Sequence, residues 1–234
     1  MAIRTERVSI TVGEQAFPGY LALPSGTPRG GIVVIQEIFG VNSHIRSVTE
    51  RAAEAGFAAL APDMFWRVRP GIELGYTPDD IAKGREVRGK ITEDSAVQDV
   101  SAAMGHLAAR REMQGHKLAV MGFCWGGLIT YLSACRLKPA CVSSYYGGGI
   151  ANFIKEASKI TCPILFHFGE LDKSIPMDQV NQVKEAMKSH KDATIYTYPT
   201  AEHGFHCDQR GSYNPEAAKV AWQRSIEFFG KHLG

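Results

Sequence analysis

Residues 118–127, with the sequence LAVMGFCWGG, constrain the fold more than any other stretch of this chain. The apolar first half predicts a buried strand, and a helix is expected to begin at about Trp125. Gly122 lies two residues before Cys124, and Gly126 lies two residues after it. In a sharp, strained turn, a side chain at either glycine would collide with a neighbouring strand or helix. The pattern predicts a strand–turn–helix unit that exposes a thiol at a helix N-terminus, where the helix dipole favours a thiolate.

Composition is that of an ordinary globular protein and excludes some classes of partner. Of the 234 residues, 44% are hydrophobic and 21% are charged, and the formal net charge is +2. This balance gives no reason to expect a nucleic acid or an anionic membrane as partner. The N-terminus lacks an apolar signal core, and no apolar run reaches a membrane-spanning length. The five cysteines form no CxxC pair, so we expect reduced thiols in a cytoplasmic protein, either a monomer or a small homo-oligomer.

Short apolar runs alternate with helical patterns along the chain. Strands are predicted at residues 31–36, 57–61, 141–146, 163–168 and 193–198, besides the strand before Cys124 and an edge hairpin at 6–11 and 17–23. Helices are predicted at about residues 43–56, 78–88, 94–113, 125–137 and 176–189, with a last one from about 215. The alternation predicts a single α/β domain over residues 1–234, with a mostly parallel central sheet and helices on both faces.

The connection formed by residues 64–93 is unusually long for such a fold. It mixes aromatic residues, arginines, glycines and prolines, and it holds only the one modest helix near 78–88. Long connections of this kind commonly form a cap or a substrate-binding loop.

A cysteine nucleophile needs a base, and the base needs a carboxylate to orient it. Asp172 follows the predicted strand that ends at Phe168, and His203 follows the last predicted strand. Both are therefore expected at the carboxyl ends of parallel strands, near Cys124. Two plainer interpretations stay open: Asp172 could cap the following helix, and His203 could be an ordinary loop histidine.

A metal site is the alternative interpretation of residues 203–207, because His206 and Cys207 lie close to His203. Zinc sites need more ligands at regular spacing, and the sequence shows no second cluster. We expect neither a metal nor a cofactor.

Glu37 directly follows the predicted strand 31–36. In this architecture that loop supplies one donor to an oxyanion hole, so the backbone N–H groups of Ile38 and Trp125 are the expected pair. A carboxylate in the loop could reach the thiol of Cys124 and change its ionisation. The alternative is a surface loop glutamate.

Four segments together carry a family resemblance: QEIFG at residues 36–40, GFCWGG at 122–127, GELD at 169–172 and EHGF at 202–205. With them the chain resembles the dienelactone hydrolases, or carboxymethylenebutenolidases, over essentially its whole length. The resemblance implies an α/β-hydrolase fold, no cofactor, and hydrolysis of a lactone ring ester in the degradation of chlorocatechol-type compounds. It also implies Cys124 as nucleophile, Asp172 and His203 as its triad partners, and Glu37 as a substrate-linked switch.

The chain departs from the family pattern where the substrate carboxylate is bound by arginines. After His203 no arginine occurs before Arg210, although the family places one a few residues after the histidine. Lys83 and Arg85 are the candidates for the other position, and a lysine does not replace a bidentate arginine. The resemblance therefore supports ester hydrolysis more strongly than it supports a dienelactone as the substrate.

Four aromatic residues are candidates for the walls of the substrate pocket, although each could also be a core residue: Phe39, Trp66, Trp125 and Tyr145.

The sequence thus predicts a cysteine-dependent carboxylic ester hydrolase that acts on a small ester or lactone through a thioester acyl-enzyme. One alternative is a promiscuous small-ester esterase or thioesterase that uses the same site. Another is a non-catalytic ligand-binding or redox-sensing protein with a reactive Cys124. The GFCWGG segment is also compatible with a glycine-rich turn around a buried free cysteine.

Overall fold

A computed structural model describes residues 2–234 of the chain. Its eight strands are β1 (Ile3–Val12), β2 (Gln15–Pro24), β3 (Gly31–Ile35), β4 (Ala58–Pro62), β5 (Leu118–Phe123), β6 (Cys141–Tyr145), β7 (Ile164–Gly169) and β8 (Ala193–Tyr198). They form one sheet in the order β1-β2-β4-β3-β5-β6-β7-β8. β2 pairs antiparallel with both β1 and β4, whereas every other pair in the sheet is parallel. The predicted edge hairpin and mostly parallel sheet are confirmed.

The α-helices are α1 (Ser43–Glu54), α2 (Pro78–Arg88), α3 (Glu93–Ala108), α4 (Trp125–Arg136), α5 (Met177–Ala186) and α6 (Pro215–Leu233). Most predicted bounds agree within a few residues. The helix predicted at 94–113 is too long, because α3 ends at Ala108 and a separate 3₁₀ turn covers Arg111–Met113. A 3₁₀ segment at Ile150–Lys159 was not predicted. None of the helices within residues 2–234 has the length and apolar character needed to cross a membrane.

The helices cover both faces of the sheet, as the side chains of β6 show. Ser143 hydrogen-bonds Ser225 of α6, with 2.9 Å between the two Oγ atoms. The next residue, Ser144, donates from Oγ to the carbonyl of Gly127 in α4, also at 2.9 Å. Because consecutive side chains on a strand point to opposite faces, α4 and α6 pack on opposite sides of the sheet.

Helix α2 lies directly on the loop that follows β3. A Cβ atom on Gly84 would stand 2.2 Å from the carbonyl oxygen of Ile38, so only glycine allows this approach. The close contact turns one face of α2, with Ile81, Arg85 and Arg88, towards the carboxyl edge of the sheet.

The turn between β5 and α4 depends on similarly close contacts. A Cβ atom on Gly122 would lie 2.2 Å from the carbonyl oxygen of Gly126. One on Gly126 would lie 2.5 Å from the carbonyl oxygens of Ile35 and Gln36 at the end of β3. The start of α4 is therefore pressed against the neighbouring strand, which sets the position of Cys124.

The contrast between two helical glycines tests this packing. Gly126→Ala should lower the free energy of unfolding by more than about 3 kcal/mol, because its Cβ meets backbone that cannot move aside. Gly105→Ala in α3 is the matched control, because a Cβ there has no neighbour within 4 Å. It should raise stability by about 0.5–1 kcal/mol through helix propensity. Urea unfolding of both variants measures the difference, and equal effects would contradict the packing described.

Candidate active site

Cys124 occupies a strained position at the N-terminus of α4. Its φ of 57° and ψ of −118° lie outside the regions that residues with side chains usually adopt. A hydrogen bond stabilises this strained conformation: the Cys124 N–H group donates to the carbonyl of Tyr145 at 3.0 Å. The half-buried Sγ lines a cavity beside the carboxyl ends of the strands.

His203 and Asp172 stand in line with this sulfur. His203 Nε2 lies 3.0 Å from Cys124 Sγ, and its Nδ1 lies 2.7 Å from Asp172 Oδ2. The other carboxylate oxygen accepts hydrogen bonds from the N–H groups of Ser174 and Ile175, at 2.8 and 3.1 Å. Asp172 therefore orders its own turn and orients His203 at the same time.

The loops that carry Asp172 and His203 touch through Gly169. A Cβ atom there would lie 2.3 Å from the carbonyl oxygen of Ala201. The absence of a side chain lets the loop after β7 approach the loop after β8, and this approach brings the carboxylate within reach of the imidazole.

The electrostatic surroundings of His203 favour its protonated form. Burial opposes the charge, but the neighbouring Cys124 sulfur and the Asp172 carboxylate outweigh it and raise the pKa of His203 to about 10. A protonated imidazole beside Sγ is the arrangement that a thiolate–imidazolium pair requires.

The N–H groups of Ile38 and Trp125 are available for an oxyanion. Both residues line the cavity beside Cys124. Within residues 2–234, neither N–H donates to another protein group. Trp125 is the first residue of α4, where backbone donors have no partner inside the helix.

Glu37 is buried and paired with an arginine rather than with the thiol. Its Oε1 accepts a hydrogen bond from Arg210 Nη1 at 3.1 Å, and its side chain is only 1% exposed. Its Oε2 has no hydrogen-bond partner in the described part of the chain. The interpretation of Glu37 as a surface loop residue is therefore wrong.

The cavity above Cys124 has a volume of about 370 Å³. Its lining comes from the loop after β3, from α2, from the turn before α4 and from the loops after β6, β7 and β8. The lining residues are Ile38, Phe39, Ile81, Arg85, Arg88, Cys124, Trp125, Gly148, Ser174, His203 and Arg210.

Three arginines line this cavity, and one of them has no ion-pair partner among residues 2–234. Arg85 is exposed and makes no ion pair within residues 2–234, whereas Arg88 is paired with Glu93. Arg210 reaches the cavity although it lies seven residues after His203. The Arg210 side chain folds back over Gly204, which has a φ of 77°. A Cβ atom on Gly204 would lie 2.3 Å from Arg210 Nη1, so glycine leaves room for the guanidinium.

Comparison with known proteins identifies the family. The model of the dienelactone hydrolase family matches residues 17–233. The chain belongs to the dienelactone hydrolase family.

Relatives within this family match over nearly the whole chain. A protein of Synechocystis sp., provisionally named a carboxymethylenebutenolidase, is 39% identical and covers 99% of this chain and 98% of its own length. An Escherichia coli protein with the same provisional name is 34% identical and covers 93% of this chain and 83% of its own length.

Solved structures agree with the fold. A structure from Klebsiella pneumoniae, provisionally named a dienelactone hydrolase, superimposes with a TM-score of 0.89 at 31% identity, covering 99% of this chain and 100% of that one. A dienelactone hydrolase-like promiscuous phosphotriesterase from metagenomic libraries has a TM-score of 0.85 at 25% identity and full coverage of both chains. The predicted α/β-hydrolase fold is confirmed.

Three residues that were predicted to contact substrate lie outside the cavity that contains Cys124. Tyr145 is fully buried, and its hydroxyl lies 2.7 Å from Ser225 Oγ, so it points through the sheet to α6. Trp66 stacks on Phe17, and its Nε1 donates to Asp99 at 2.9 Å. Lys83 pairs with an exposed glutamate on its own helix and faces a separate groove. Of the predicted wall residues, Phe39 and Trp125 do line the cavity, as does Arg85.

Two features of the site were missed in the sequence. Arg88 lines the cavity, and its spacing of three residues from Arg85 on a predicted helix is a signal that could have found it. The buried side chains of Glu37, His44 and Cys207 converge behind Arg210, each with one potential metal-ligand atom. No local pattern could reveal this second group, because its members are widely separated along the chain.

Replacing Cys124 with alanine should lower the pKa of His203. The Cys124 sulfur is the largest influence that raises this pKa, so its removal leaves the opposing effect of burial stronger. NMR titration of the His203 imidazole in both proteins measures the change, with Cys162→Ala as a buried-cysteine control that should leave it unaltered. An imidazole that titrates at its ordinary value of 6.5 in the unmodified protein would contradict the pairing described.

Proposed function

We propose that this chain hydrolyses a small carboxylic ester or lactone that carries an additional anionic group. The reaction proceeds through a thioester on Cys124. The observation that carries the proposal is the continuous line Asp172–His203–Cys124, with separations of 2.7 and 3.0 Å. Five free cysteines support a reducing, cytoplasmic location.

In the acylation step, the sulfur of Cys124 attacks the ester carbonyl as a thiolate while His203 carries the proton. The carbonyl oxygen gains the negative charge and accepts hydrogen bonds from the N–H groups of Ile38 and Trp125. Collapse of this intermediate breaks the bond between the carbonyl carbon and the ester oxygen. The leaving oxygen takes the proton from His203, and in a lactone it stays tethered to the acyl group.

In the deacylation step, His203 removes a proton from a water molecule, which attacks the thioester carbonyl. The carbon–sulfur bond breaks, the carboxylic acid product leaves, and Cys124 returns to the thiolate paired with protonated His203. Asp172 holds the imidazole in one orientation through both steps and stabilises its positive charge.

Charge in the cavity supports an anionic substrate. Arg85 has no ion-pair partner among residues 2–234, and it faces the same space as Cys124. Arg210 is occupied by Glu37, at 3.1 Å. A substrate carboxylate that reached Arg210 would compete with Glu37 for the guanidinium, so substrate binding would release Glu37 to interact with the reacting groups. This competition is the form of substrate-linked switch that the observed pairing supports.

Cys124→Ala should reduce kcat/KM for an activated ester by at least about 1,000-fold, because no other nucleophile is in line with His203. The loss is measured with an ester whose leaving group is a chromophore, so that its absorbance reports the rate of hydrolysis. Cys162→Ala, which removes a buried thiol outside the cavity, should retain activity. Full activity of the Cys124→Ala protein would exclude the proposal.

Arg85→Ala should lower kcat/KM about 10-fold for an ester that carries a carboxylate, because a charge-assisted hydrogen bond is lost at a partly exposed site. A neutral ester of similar shape should be affected less than about 2-fold. Lys83→Ala is the matched control, since Lys83 lies on the same helix but faces away from the cavity. Equal losses on both substrates would show that Arg85 does not bind the carboxylate.

The same substrate comparison separates the proposal from a promiscuous small-ester esterase or thioesterase. Such an enzyme would turn over neutral acyl esters as fast as lactones that carry a carboxylate. A phosphotriester belongs in the panel, because a structural relative at 25% identity is a promiscuous phosphotriesterase. A redox sensor would instead show stoichiometric labelling of Cys124 without turnover.

A further inference from the structure

Three buried side chains from separate parts of the chain converge behind the active-site cavity. Glu37 lies in the loop after β3, His44 in the first turn of α1 and Cys207 in the loop before α6. Each offers one oxygen, nitrogen or sulfur atom, and these three atoms lie within 4.8 Å of one another. All three residues are at most 2% exposed.

Two of these atoms are buried without a partner. Glu37 Oε2 and His44 Nε2 make no hydrogen bond within residues 2–234. Buried polar atoms are seldom left in this state, because each has lost its hydration without gaining a replacement. Both atoms belong to the same group of three converging side chains, and two unpartnered atoms of different chemistry in one such group indicate that a ligand belongs there.

The neighbouring groups orient these atoms as they do at metal centres. Asp208 Oδ1 lies 3.4 Å from His44 Nδ1, so a proton on Nδ1 leaves the lone pair of Nε2 free. A histidine that binds metal through one nitrogen commonly donates its other N–H to a carboxylate in this way. Arg210 similarly holds Glu37 by Oε1 and leaves Oε2 free.

We propose that Glu37, His44 and Cys207 form a binding site for a single divalent cation of the zinc type. A thiolate, an imidazole and a carboxylate are the ligands that Zn²⁺ takes in proteins, with water completing a tetrahedron. Ligand bonds of about 2.0–2.3 Å place tetrahedral ligand atoms roughly 3.3–3.8 Å apart, so only a small closure of the side chains is needed. Cys207 loses its proton to solvent when it binds.

A second cavity is lined by two residues that contact His44. It has a volume of about 290 Å³ and is lined by Asp208 and His206. The His206 ring is 5.9 Å from that of His44, and Asp208 contacts His44 directly. Arg51 and Lys219 also line this cavity. Among the described residues, Asp208 is the one acidic residue in its lining, so Asp208 is the group that would attract a cation towards His44.

The site shares Glu37 with the active-site cavity, where the same carboxylate pairs with Arg210. A cation on Oε2 would hold Glu37 in place and weaken its exchange with a substrate carboxylate. Cation binding at the cluster would in this way affect substrate binding in the cavity. Cation binding itself does not depend on the proposed ester hydrolysis.

Cobalt titration in a Cys124→Ala background tests the site without interference from the catalytic thiol. The metal-free protein should bind one equivalent of Co²⁺ and show a sulfur-to-cobalt charge-transfer band together with the visible bands of tetrahedral Co²⁺. Adding Cys207→Ser should abolish the charge-transfer band, whereas adding Cys162→Ser should leave it unchanged. Circular dichroism establishes that each variant is folded.

If Cys207→Ser fails to fold, a variant of the exposed residue Asp208 still tests the proposal. Asp208→Asn should weaken Co²⁺ binding by about 10-fold, because the carboxylate that orients His44 is lost. Absence of any charge-transfer band, a band that survives Cys207→Ser, or unchanged affinity in Asp208→Asn would each overturn the proposal. Competition by Zn²⁺ for the bound Co²⁺ should be complete at one equivalent.

Discussion

The close approach of α4 to the end of β3 is the constraint on which the site depends. Gly126 allows the helix to press against the carbonyl groups of Ile35 and Gln36. That contact forces Cys124 into a strained conformation, and it also places the first N–H of α4 beside the loop that carries Ile38. The proposed nucleophile and the proposed oxyanion donors are thus positioned together by backbone packing, which is harder to disturb than any arrangement of flexible side chains.

The second organising interaction is the pair formed by Arg210 and Glu37. Through this pair the anion-binding side of the cavity contacts a buried carboxylate, and through the carboxylate it contacts His44 and Cys207. Glu37 consequently has one oxygen paired with Arg210, which we propose binds substrate, and one oxygen without a partner among residues 2–234. If both proposals hold, this single side chain couples substrate binding in the cavity to cation binding at the cluster.

Much of this architecture follows from local sequence patterns. Cys124, Asp172 and His203 could be placed because each follows a recognisable strand, and parallel strands bring their carboxyl ends together. Tyr145 lies outside the cavity because a strand alternates its side chains between faces, and a shift of one residue selects the other face. Local sequence patterns do not predict the position of Arg210, because it depends on the conformation of Gly204. The cluster with His44 is not predicted either, because it depends on contacts between distant segments.

The most direct test of the central claim is mass spectrometry of the protein quenched with acid in the first turnover of an activated ester. We expect an acyl group on the peptide that contains Cys124, at up to one equivalent, and none on the peptide that contains Cys207. The adduct should disappear as the ester is exhausted, since the thioester is an intermediate rather than a product. Rapid turnover with the acyl group on another residue, and with Cys124 unmodified at every time of quenching, would contradict this claim.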